Sequence, residues 1–175
     1  MSFLQRLIFA LVFFICTANA QEHNSETGAE ILLPFKQELQ QALLGGLADG
    51  PEQVIDVCKL EAPEIATSLS QNGILLGRAS DRLRNPLNTT PEWAAPILES
   101  YTNNPENREP QHVSLSENRT GYVEPILIQP VCLACHGTEL SQSISTKLNL
   151  AYPADRATGY QTGDLRGIFW VEFVE

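Results

Sequence analysis

Two periodicities in succession predict an α+β fold, helices first and an antiparallel sheet after them. In the first third of the chain Ile31, Leu32, Phe35, Leu39, Leu43 and Leu47 recur at the three- and four-residue steps of one helix face. At the C-terminal end Phe169, Val171 and Phe173 alternate as a half-buried strand does. Between them lie short runs punctuated by Pro, Gly and Asn, the spacing of strands and hairpins.

Taken in order, residues 1–20 read as a secretory leader: Arg6 is the positive n-region, Leu7 to Ile15 is almost wholly apolar, and Ala18-Asn19-Ala20 is a small-residue cleavage site. The apolar run is short of the roughly 20 residues a spanning helix needs, so no membrane span is expected after cleavage, and Cys16 leaves with the leader. The sequence therefore predicts a periplasmic or secreted protein, with residues 21–175 forming one domain.

Thr27-x-x-Glu30 has capping-box spacing and predicts a helix over 28–48, its end weakened by Gly45-Gly46 and Asp49-Gly50. Pro51 suits the first position of a second helix on which Val54, Ile55 and Cys58 share the inward face, with Pro63 restarting or kinking it. Residues 73–79 read as a strand and 82–90 as an ordered loop whose Thr90 caps a helix over 92–101. Residues 112–116 and 122–129 read as a hairpin in which Pro125 marks a bulge or an edge. Residues 141–149 are helical in pattern, and 151–163 are turn-rich before the last strand.

Charge narrows the partners. Loss of the leader removes Arg6 and no acid, leaving 10 basic against 21 acidic residues, a net charge of −11. That excludes nucleic acid and anionic membrane surfaces and favours a basic partner protein.

The chemistry lies in Cys132-Leu133-Ala134-Cys135-His136. CxxCH is the spacing at which two thiols attach one haem covalently while the adjacent imidazole ligates its iron. Cys132 and Cys135 are then thioether anchors and His136 the proximal ligand of one haem c. Three cysteines follow the leader, an odd count for an oxidising compartment, and haem attachment leaves Cys58 over. The single methionine is Met1, so His/Met ligation is excluded and the sixth position falls to Cys58, His112, His23 or nothing. His23 lies in a polar tail beside the cleavage point and His112 at a solvated strand start. Cys58 is either a ligand or a buried core thiol.

Beyond that pentapeptide, Val54-Ile55-Asp56-Val57-Cys58 with Ala62-Pro63-Glu64-Ile65-Ala66, Arg78-Ala79-Ser80, Arg84-Asn85-Pro86-Leu87-Asn88, and the run from Tyr152 to Tyr160 followed by Gly163-Asp164-Leu165-Arg166-Gly167 occur in one order. With CxxCH, these motifs resemble the family of exported PAS-like haem c-binding domains. The resemblance implies a PAS-like antiparallel sheet flanked by N-terminal helices, and an iron held between His136 and Cys58. It suggests that Arg78, Arg84 and Tyr160 pair with the propionates or line the pocket.

The function expected is a haem redox protein that passes single electrons, or senses redox state or a small gas, with the Cys58 bond weakened on reduction. No kinase, cyclase or chemotaxis module precedes Glu175, so a signal is expected to leave through a docked redox or signalling partner. Two other classes fit less well. A structural zinc site from Cys58, Cys132, Cys135 and His136 or His112 is awkward because Cys135 and His136 are adjacent. A haem enzyme such as a peroxidase needs a distal acid or base that no residue clearly supplies, so electron transfer or sensing is expected ahead of catalysis.

Overall fold

The computed structural model describes residues 27–174; the predicted leader, Cys16 and His23 lie outside the described residues. Helix α1 spans 27–48. Thr27, the first described residue, is already helical. The helix α2 that follows has three parts, Gln53–Asp56, a π-helical turn Val57–Glu61, and Ala62–Leu69.

The predicted break at Pro63 takes another form. Proline has no N–H for the preceding turn, and the backbone widens just upstream instead, with the Ala62 N–H bonded to the Val57 carbonyl. Such π-turns are rare and often mark functional sites. This one carries Cys58.

Strand β1 spans Leu75–Ala79. It is two residues shorter at its start than the pattern predicts because Asn72 and Gly73, with φ of 53° and 84°, form the preceding turn. After a 3-10 turn at Glu92–Ala94 comes α3, Ala95–Asn103. The cap position falls to Pro91 in extended conformation, with no side-chain bond; Thr90 does not cap.

The hairpin is β2, Gln111–Ser116, and β3, Arg119–Leu127. A 3-10 turn at Pro130–Cys132 leads into the short helix α4, Leu133–His136. Helix α5, Gln142–Ala151, is capped by Ser141, whose Oγ accepts from the Ile144 N–H at 3.3 Å. Strand β4 is Leu165–Val174.

The fold is α+β and PAS-like, a four-stranded antiparallel sheet in the order β1-β4-β3-β2 with helices packed on it. The register explains Pro125. Strand β2 begins opposite Val123, so at Pro125 only β4, through Ile168, flanks the strand. Locally this is the edge position predicted for it.

The two sheet faces bury different cores. Val123, Ile168 and Ala79 pack with Ile97, Leu98 and Tyr101 of α3. On the opposite face Leu76, Tyr122, Val171 and Phe173 pack with Leu32 and Phe35 of α1.

A bulge in β4 ends the regular pairing. Ile126 pairs with Gly167 and Leu127 with Leu165, which leaves Arg166 as the extra residue. Gly167 has φ of 154°, and a Cβ there would collide with the Ala79 carbonyl oxygen. Backbone cannot yield as a flexible side chain does, so Gly167→Ala is expected to cost about 3 kcal/mol or more from strain and collision together. A urea midpoint within error of wild type would contradict that requirement.

Candidate functional site

The four residues at the centre of the sequence argument line one cavity of about 290 Å³, between α1, α2, α4 and the α1 face of the sheet. One turn of chain explains why three of them meet. The 3-10 turn runs directly into α4, so Cys132 and Cys135, three residues apart, fall on one side with His136 beside them. Gln129 starts the turn, its N–H directed to the Cys132 Sγ at 3.4 Å.

Gly137 closes it, bonding the Leu133 carbonyl at 2.9 Å. A Cβ at 137 would sit 2.6 Å from that same oxygen, so only glycine permits the close approach. Cys135 is buried, which raises its thiol pKa against the opposing pull of Arg84. Cys58 reaches the cavity from α2 and is half-buried.

The His136 ring is fixed by the backbone of the 155–157 segment. A carbonyl can only accept, so the 2.7 Å contact between Nδ1 and the Ala157 oxygen fixes the proton on Nδ1 and leaves the Nε2 lone pair available. Burial, and then the nearby Arg84 and Arg166 cations, depress the imidazole pKa to about 3 despite that bond, so the ring is neutral at ordinary pH.

The arginines differ in what they touch. Arg84, 8% exposed, donates from Nε to Asp155 at 2.9 Å and from Nη2 to the carbonyls of Cys135 at 2.6 Å and Ala157 at 3.2 Å. It joins the thiol-bearing turn to the 155–157 segment. Arg78 lines the cavity beside Phe169, its partner on β4. Its side chain has no hydrogen bond or ion pair among the described residues. Desolvation lowers its pKa, while Cys58 and then Tyr152 oppose the shift.

Tyr160 does not line the cavity. It lies behind His136, ring to ring at 6.2 Å and edge-on, with Arg82 4.0 Å from its centroid. Its backbone N–H bonds the His136 carbonyl at 3.0 Å. His112 lies on β2 and is also absent from the cavity wall.

Two lining residues escaped the sequence reading as site residues. Arg166 belongs to a strand pattern, where nothing local marks it; the bulge of β4 is what aims it at the cavity. Tyr152 is buried among Ile55, Cys135, Ile144 and Leu148. Burial and the neighbouring Cys58 push its hydroxyl up to about 12. The signal for both lay in the quoted motif runs that contain them.

Among the described residues no group of three or more His, Cys, Asp and Glu side chains is gathered to hold a metal ion. The Cys₃His zinc set is therefore not assembled. The donors are spread around a cavity whose other walls include Leu39, Leu43 and Leu47 of α1, Val54, Ile55 and Phe169.

This is a PAS-like domain whose sheet and helices enclose an apolar cavity lined by thiols, one neutral imidazole and arginines. The chain belongs to the Tll0287-like family (Tll0287), which it matches over residues 16–173. Among solved structures it is similar to one described as the crystal structure of the cyanobacterial heme-protein Tll0287. The two share 25% sequence identity over 82% of this chain and 92% of that one, with a TM-score of 0.58. A comparison with curated proteins gave no match.

Proposed function

We propose that this chain is an exported protein carrying one covalent haem c, and that it works as a single-electron carrier or as a sensor of redox state or a small gas. Cys132 and Cys135 would hold the haem through thioether bonds, and His136 and Cys58 would ligate its iron. Membership of a family that includes a described haem-protein supports haem binding. The observation that carries the rest is the lining of one cavity by CxxCH and by Cys58 from a separate helix.

The donor set suits a large flat group better than a point ion: two thiols on one turn, an imidazole with its outer nitrogen pinned, apolar walls, and cations able to meet carboxylates. Bound there, haem supplies a one-electron ferric/ferrous couple.

The chain's residues decide how that couple behaves. His136 presents Nε2 because Ala157 holds its other nitrogen. Cys58 brings an anionic sulfur that favours the ferric state and lowers the potential relative to His/Met ligation. Cys58 would be the ligand whose hold a lower charge on the iron loosens, the basis proposed for a ligand switch. Arg78, without a carboxylate partner among the described residues, is free to meet a propionate. The acidic chain, −10 overall, favours a basic redox or signalling partner over nucleic acid.

Expression with haem-attachment machinery tests the reading. Intact mass is expected to show one haem on the wild type and none on the Cys132→Ser/Cys135→Ser double variant. A bare wild-type polypeptide from a competent host overturns it. Absorption of the reduced protein with and without carbon monoxide tests the switch; identical spectra would leave a carrier without gas binding.

A further inference from the structure

We infer that Arg84 and Asp155 form a charge pair that sets the electron-donor strength of His136 through the Ala157 carbonyl; the inference rests on the haem reading above. The Ala157 carbonyl accepts two hydrogen bonds, one from His136 Nδ1 at 2.7 Å and one from Arg84 Nη2 at 3.2 Å. The N–H of the same residue donates to Asp155 Oδ1 at 2.8 Å, while Asp155 Oδ2 accepts from Arg84 Nε at 2.9 Å. One carboxylate thus grips both the guanidinium and, through the N–H on the other side of its Cα, the residue whose carbonyl orients the imidazole. The same Arg84 Nη2 also holds the Cys135 carbonyl at 2.6 Å. The side chains of Arg84 and Asp155 are 7% and 11% exposed, so solvent and salt screen the pair little.

The sign of each effect follows from the shared oxygen. A carbonyl accepting the Nδ1 proton gives the imidazole partial anionic character and makes Nε2 a stronger donor. A guanidinium on that carbonyl draws electron density away and weakens its pull on the Nδ1 proton. Arg84 therefore makes His136 a weaker donor and favours the reduced state. Asp155 offsets that cation. Both act through His136 and are positioning residues.

Removing the two charges must shift the potential in opposite directions. A purely structural role predicts the same direction for both, because either change loosens one loop.

The test is redox titration of haem-loaded wild type, Arg84→Gln and Asp155→Asn. Arg84→Gln is expected to lower the reduction equilibrium constant roughly tenfold and Asp155→Asn to raise it by as much, the scale on which outer-shell partners act. Tenfold is about 59 mV for a one-electron couple. In the apoprotein, the Nδ1 proton resonance of His136 is expected downfield in Arg84→Gln, where its hydrogen bond strengthens, and upfield in Asp155→Asn.

Shifts of the same sign, or both below about twofold, overturn the inference and leave the haem reading standing. A wild type without haem overturns the reading itself. Should Arg84→Gln fail to fold, Asp155→Asn decides alone: a rise supports the pair, and no change or a fall refutes it.

Discussion

Cys58→Ala is expected to keep its haem and change its colour. In the proposed reading attachment depends on Cys132, Cys135 and His136, which come from a different stretch of chain and keep their own supports in Gln129, Ala157 and Arg84. The cost to folding is small, because one half-buried sulfur is worth about 1 kcal/mol, less than the whole-residue losses that unfold a domain. The electronic change is large by comparison. Removing an anionic ligand takes away what favours ferric iron, so the potential is expected to rise by more than about 100 mV, within the roughly 0.8 V that axial ligands span. The thiolate features of the oxidised visible spectrum disappear, and carbon monoxide binds the reduced variant without a ligand having to leave. An oxidised spectrum and midpoint potential matching those of wild type would remove Cys58 from the iron.

What the sequence discloses about this site depends on how local each feature is. The CxxCH turn is legible because a three-residue spacing needs only one turn of helix to bring Cys132 and Cys135 together. Cys58 is placed inward by its step from Val54 and Ile55. The ligand role proposed for it enters only through the resemblance, since a lone thiol on an apolar face is equally a core residue.

The π-turn around it is invisible, because the rule that reads Pro63 as a break has no term for a register that widens upstream. Arg166 is hidden for a related reason. Alternation assigns each strand residue to one face, and a single inserted residue reverses that assignment. The insertion at 166 shows only once β3 and β4 are paired. Likewise the placement of β4 between β1 and β3 depends on contacts between residues far apart in the chain, from Arg78 to Phe169 for example, and no local pattern encodes them. Thr90 fails as a cap because Pro91 already supplies the extended entry into the 3-10 turn.

Phe35→Ala is expected to have the largest effect on stability, and through α1 it reaches the cavity. Phe35 is 1% exposed and meets Phe169 edge to face at 5.9 Å between centroids. Phe169 lies between Arg78 of β1 and Glu124 of β3 on the cavity side of the sheet. The phenyl ring is thus the peg by which α1 sits on the row of strands that floors the cavity. Truncating a buried phenylalanine costs about 3–5 kcal/mol, which for a domain of this size lowers the melting midpoint by about 10 °C.

The adjacent residue gives an internal contrast. Lys36 also ties α1 to the sheet, through Glu124 at 2.5 Å, but its side chain is 33% exposed. Ion pairs of that exposure contribute about 1 kcal/mol at most, so Lys36→Met is expected to change stability by a fraction of the Phe35 effect. Packing, not charge, then holds the helix that contributes Leu39, Leu43 and Leu47 to the cavity wall. The Phe35 variant is accordingly expected to lose haem occupancy along with stability, measured by the haem-to-protein absorbance ratio after export, while Lys36→Met keeps both. Equal losses in the two variants would transfer the anchoring of α1 from the aromatic pair to the Lys36–Glu124 bridge.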